Sequence, residues 1–65
     1  MERITAKNDY YSIMKGYTGA IVGIDEFSNG KMNYHLKINN VPDMLFMVGQ
    51  ITEIEFKEIF DIISD

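Results

Sequence analysis

The stretch AIVGIDEFSNGKMNYHLKI, from Ala20 to Ile38, decides the fold. Two runs suited to extended backbone, residues 20–27 and 32–38, flank Ser28-Asn29-Gly30-Lys31. Asn-Gly between such runs favours a two-residue type I′ turn, because both residues tolerate positive φ. With Asn29 and Gly30 as the loop, Phe27 faces Met32, Asp25 faces Tyr34, Gly23 faces Leu36 and Ile21 faces Ile38. One face is then almost wholly apolar. The other carries Glu26 with Asn33, Ile24 with His35 and Val22 with Lys37. A one-residue slip would scramble that segregation, so pattern and turn agree. Gly23 inside a strand predicts a bend or bulge, of the sort that curls a small sheet.

Beyond the hairpin, Asn39-Asn40-Val41-Pro42-Asp43 reads as a second turn, with Pro42 ending the strand. Met44-Leu45-Phe46-Met47-Val48 is a third strand, apolar on both faces and closed by Gly49. A helix is expected over residues 53–64. Thr52 is its N-cap, and Glu55 three residues on completes a capping box. Phe56, Ile59, Phe60 and Ile63 form its buried stripe, while Glu55, Glu58, Asp61 and Asp65 line another face. Before the hairpin, Ile4 and Ala6 suit a first strand. Residues 8–16 fit either a short helix capped by Asn8 or Asp9, with Tyr10, Ile13, Met14 and Tyr17 at helical spacing, or an irregular loop.

The whole is one domain of 65 residues, 46% apolar, with no cysteine. A core this small rarely supplies more than roughly 3–5 kcal/mol, and no disulfide is there to add to it. Absence of cysteine fits a reducing compartment. No apolar segment near the N-terminus resembles a signal peptide, and none approaches the roughly 20 residues that span a bilayer. A cytoplasmic protein is expected, with no membrane partner.

Its net charge of −4 is uneven. Five acidic and five basic side chains balance over residues 1–51, so the entire excess lies in residues 52–65. That acidic end argues against nucleic acid or an anionic membrane on its side of the molecule.

Lys15-Gly16-Tyr17-Thr18-Gly19-Ala20-Ile21, with Val22 and Ile24 after it, resembles the KOW motif of ribosomal and transcription-factor modules. In that family two glycines three apart shape a loop leading into an alternating strand. The resemblance, extending loosely over residues 13–38, implies an SH3-like barrel. Tyr17 and Ala20 stand where basic residues would contact RNA, which leaves Lys15. The likeness thus speaks for a barrel more than for RNA. In overall style, short and rich in Tyr, Asn, Ile and Lys, the chain is also similar to small proteins encoded by phages of low-GC bacteria.

No constellation for catalysis stands out. His35 is the sole histidine, and no carboxylates lie at ligand-like spacing from it. Ser12, Ser28 and Ser64 lack a nucleophile-elbow context, and Gly16-x-x-Gly19 lacks the helix and Gly-Lys-Ser/Thr of a phosphate cradle. So small a domain also leaves little volume for a desolvated pocket of roughly 300 Å³ or more. No enzyme, metal or cofactor is expected.

Three features invite binding instead. Along the third strand Leu45 and Met47 point away from Met44, Phe46 and Val48, so one side needs a cover: the helix, or another molecule. Tyr11 and Tyr17 are either core tyrosines with wet hydroxyls or interface anchors. Glu55, Glu58 and Asp61 either keep the chain in solution or meet a basic surface. The sequence therefore predicts an α+β domain, a small antiparallel SH3-like barrel of three to five strands with a C-terminal helix. It reads as a non-catalytic protein-binding module, of the kind a phage uses to inhibit or regulate a host protein, with a partner bearing a basic or apolar surface. A KOW-like nucleic-acid or ribosome-binding module is the alternative, and pairing of the third strands would make a homo-oligomer.

Overall fold

The computed structural model describes residues 2–63. Its elements are β1 (Arg3–Ala6), β2 (Thr18–Glu26), β3 (Met32–Ile38), β4 (Leu45–Ile51), α1 (Glu53–Ile59) and β5 (Phe60–Ile63). The strands form one open antiparallel sheet in the order β4-β3-β2-β1-β5. The expected α+β class holds, with a short helix near the C-terminus.

The hairpin forms where expected, but its turn is a different one. The Phe27 carbonyl accepts from the Gly30 N–H at 3.1 Å, and the Phe27 N–H donates to the Lys31 carbonyl at 2.9 Å. The loop is thus Ser28-Asn29-Gly30, a type I turn followed by a left-handed residue, with Gly30 at φ 83°. This solution places one residue in the left-handed region, where type I′ needs two. Asn29 keeps a negative φ and takes the Lys31 N–H on its side-chain oxygen at 3.0 Å.

The three-residue loop slips the register by one, pairing Glu26 with Met32 and Ile24 with Tyr34. Between Ile21 and Gly23 a bulge then shifts it again, so Ile21 faces Leu36 and Gly23 faces His35. The expected partners Ile21–Ile38, Gly23–Leu36, Asp25–Tyr34 and Ile24–His35 are therefore all corrected. The bulge is the bend that Gly23 predicted. Because two shifts act on β2 and none on β3, the inner face of β3 is as expected, with Tyr34, Leu36 and Ile38 all buried.

Strand β4 runs past Gly49 to Ile51. A second bulge lets it continue: Gln50 sits at φ 55°, and its N–H donates to the Asn33 side-chain oxygen at 2.9 Å. At the other end of β2, an added Cβ on Gly19 would collide with the backbone carbonyl of Lys37. Only glycine lets β2 approach β3 that closely.

The helix ends at Ile59, five residues short of the predicted limit, and residues 60–63 are a strand. Thr52 and Glu55 form the expected capping box. Phe60 then turns extended (φ −125°, ψ 134°) and opens β5 alongside β1, pairing Ala6 with Phe60 and Ile4 with Ile62. Strand β1 would otherwise have one edge unpaired, and its ladder bonds outweigh another helical turn for an Ile-rich segment. Ile63 is consequently half exposed and Asp61 leaves the helix; Ser64 and Asp65 lie outside the described residues. Ahead of the hairpin, β1 confirms Ile4 and Ala6 as a strand. Residues 8–16 are not helical. Tyr10 and Ile13 instead exchange two backbone hydrogen bonds, at 2.7 and 2.9 Å, across a two-residue turn.

One cluster organises the interior: Ile4, Ala6, Ile13, Ile21, Tyr34, Leu36, Ile38, Val48, Phe56 and Phe60. The helix lies over the inner face, where Phe56 stacks on Tyr34 at 3.8 Å and on Phe60 at 4.9 Å.

Candidate functional site

Strand β4 is an edge, and its two sides have different fates. Val48 is fully buried and Phe46 packs against the core, as alternation requires. Leu45 and Met47 point outward and remain 59% and 57% exposed, because α1 covers the opposite face of the sheet. The helix thus does not supply the cover their side chains call for. Cross-strand neighbours complete the patch: Lys37 opposite Leu45, and His35 opposite Met47. Lys37 donates to the Pro42 carbonyl at 3.3 Å, and His35 Nε2 lies 2.8 Å from Asp25 Oδ2. No charged residue occurs in β4 itself.

The tyrosines separate. Tyr11 is 87% exposed and holds a positive φ of 54°, a left-handed backbone uncommon for a bulky residue. Its ring meets Tyr10 edge-on at 4.7 Å, and Tyr10 meets Phe60 at 6.3 Å. A row of rings therefore leads from Tyr34 through Phe56, Phe60 and Tyr10 to Tyr11 at the surface. Burial, and then the neighbouring Tyr11, raise the Tyr10 hydroxyl above its ordinary pKa. Tyr17 is half-buried and packs against the core, its carbonyl accepting from the Ala6 N–H at 2.8 Å.

The acidic residues do not form one helical face. Glu55 is occupied as the cap: its Oε1 accepts from the Thr52 N–H at 3.1 Å and the Thr52 hydroxyl at 2.9 Å. Those bonds, the backbone one first, hold its carboxyl below the ordinary range. Glu58 is exposed on α1, whereas Asp61 stands on β5, 3.7 Å from the Lys7 ammonium.

Among the described residues no group of three His, Asp or Glu side chains is placed to hold a metal ion. Open depressions of about 430, 370 and 220 Å³ indent the surface. Sequence reasoning missed the second of them. It lies between the turn end of the β2–β3 hairpin and α1, and Ile24 reaches it only because the shifted register turns that residue to the inner face. Gly23 was the available signal, since a bulge beside it inverts the side-chain alternation that follows.

No described helix is long and apolar enough to cross a membrane. No protein-family model, curated protein or solved structure matches this chain.

Proposed function

We infer that this chain is a small non-catalytic protein-binding module, acting in the cytoplasm, of the kind a phage uses to inhibit or regulate a host protein. One observation carries the reading: Leu45 and Met47 stand more than half exposed, side by side, on an uncharged edge strand. Edge strands are normally blunted by charge, proline, brevity or a bulge. The bulge in β4 lies at its far end, and Leu45–Val48 carry neither charge nor proline. A partner that pairs with the backbone of β4 and covers both side chains uses the strand-addition mode of recognition. Tyr11, exposed in a strained turn, is a second anchor.

The strand order, with α1 between the fourth and fifth strands, supports an SH3-like strand arrangement in an open sheet as the fold behind this surface. The KOW likeness gains from one feature: Gly16 is left-handed at φ 94° in the loop that leads into β2. A nucleic-acid module is therefore the second reading. Its binding to RNA at low salt would fall steeply as salt rises.

Affinity capture from a Gram-positive lysate tests the first reading, with Met47→Asp and Glu58→Lys as comparisons. Wild type returns a stoichiometric protein partner and Met47→Asp loses it. Retention by Met47→Asp with loss in Glu58→Lys would move the site to the helix. No stoichiometric partner would sink the reading, and a monomer–dimer equilibrium on dilution would replace it with self-association.

A further inference from the structure

The depression between the β2–β3 hairpin and α1 has a composition unlike the other two. Its floor is apolar, built from Ile24, Met32 and Tyr34. The pairs Ile24–Tyr34 and Glu26–Met32 are alternate rungs of one ladder, with Asp25–Asn33 between them, so these four side chains share the inner face at its turn end. Around the rim stand the exposed carboxylates of Glu2, Glu26 and Glu53, against the single ammonium of Lys57, 3.3 Å from Glu53. The described lining therefore carries a net −2. By contrast, the depression of about 430 Å³ sets two carboxylates, Glu2 and Asp61, against Lys7 and Lys57 and is balanced.

The negative field reaches the floor. The Tyr34 hydroxyl is raised above its ordinary pKa by burial first, then by the Glu53 and Glu2 carboxylates. An anion would be repelled there, and a purely apolar ligand would cover carboxylates without compensating them. A long basic side chain matches both parts, since its stem is apolar and its head is charged. Arginine suits the site better than lysine, because its weakly hydrated guanidinium offers five donors to several carboxylates at once.

We propose that this groove receives an arginine side chain from an extended segment of a protein partner, its stem on Ile24, Met32 and Tyr34 and its guanidinium among Glu2, Glu26 and Glu53. The proposal rests on the reading of the chain as a protein-binding module and adds a charge-selective site apart from β4.

The test is an amide chemical-shift titration of the whole chain with a capped leucyl-arginyl-leucine peptide, and with its glutaminyl counterpart as control. Shifts are expected at Ile24, Met32 and Tyr34 with the arginyl peptide alone. The double variant Glu26→Gln/Glu53→Gln keeps its shift dispersion and binds roughly tenfold more weakly, the change that about 1.4 kcal/mol corresponds to. Ile24→Ser also weakens binding, with the charge unchanged. Equal shifts from the two peptides, shifts scattered along α1, indifference to the double variant, or no shift at all would each overturn the proposal. Met47→Asp binds the peptide as wild type does, so failure here and failure of the β4 reading are separate results.

Discussion

The rings of Tyr34 and Phe56 lie 3.8 Å apart and 19° from parallel, joining the middle of β3 to the one short helix. Phe56 is fully buried, and truncating such a ring costs about 3–5 kcal/mol. A core of this size supplies roughly the same amount in total. Phe56→Ala is therefore expected to abolish the cooperative thermal transition and the near-ultraviolet circular dichroism. Tyr34→Phe, which keeps the stack and loses only the hydroxyl bond to the Met32 sulfur at 3.3 Å, should cost under about 1 kcal/mol. A cooperative, native-like Phe56→Ala protein would mean that the helix is not held by this stack.

Gly19→Ala is the smallest change with a large expected effect. Its methyl group would press on the Lys37 carbonyl and on Ile38, and backbone cannot rotate out of the way. Overpacking of this kind costs about 1–3 kcal/mol. Urea titration should show the midpoint falling sharply with the slope unchanged. An unaltered midpoint would show that β2 and β3 are less closely opposed than described.

The hairpin, the capping box and the strand alternation were legible because each is a local pattern with a local cause. Asn29-Gly30 announced a turn, Thr52 and Glu55 a helix start, and Gly23 a bulge. What escaped was decided by distant partners. Ile59-Phe60-Asp61-Ile62-Ile63 suits a last helical turn or a short strand equally well by composition, and the free edge of β1 chose the strand. The turn type depended on accommodating one left-handed residue rather than two, and its slip moved Ile24 from the outer face to the groove. Of the expected site residues, Leu45, Met47 and Tyr11 are exposed as binding requires. Tyr17 is half-buried, Glu55 is engaged by Thr52, and Asp61 stands apart from the helix, because burial and capping depend on packing that no single segment encodes.

Glu55 gives a pH dependence with a definite sign. Its carboxyl lies below the ordinary value of 4.5 in the folded chain, held there by the Thr52 N–H and hydroxyl. A depressed carboxylate pKa contributes stability that is complete above the unfolded value and lost as pH falls through the folded one. The denaturation midpoint of wild type should thus decline from just above pH 4.5 downward. Glu55→Gln can still cap the helix but does not titrate, so its midpoint should decline less over that window. Parallel pH curves for the two proteins would rule out this source of acid sensitivity.

Tyr11 separates a structural role from a binding one. Its left-handed backbone carries a strain of about 1–2 kcal/mol that glycine would relieve. Against that stand the conformational entropy of glycine, roughly 0.5–1 kcal/mol, and the edge contact with Tyr10, about 0.5–1.5 kcal/mol. The opposing effects nearly cancel, so Tyr11→Gly should leave the melting transition within about 1 kcal/mol of wild type. If Tyr11 is an anchor, the same variant should still lose most of the captured partner, since the ring is exposed and nothing else replaces its area. A variant that melts much earlier would make Tyr11 a structural lock on the residue 10–13 turn. One that melts normally and binds normally would leave the strained backbone without a functional reason and confine recognition to β4.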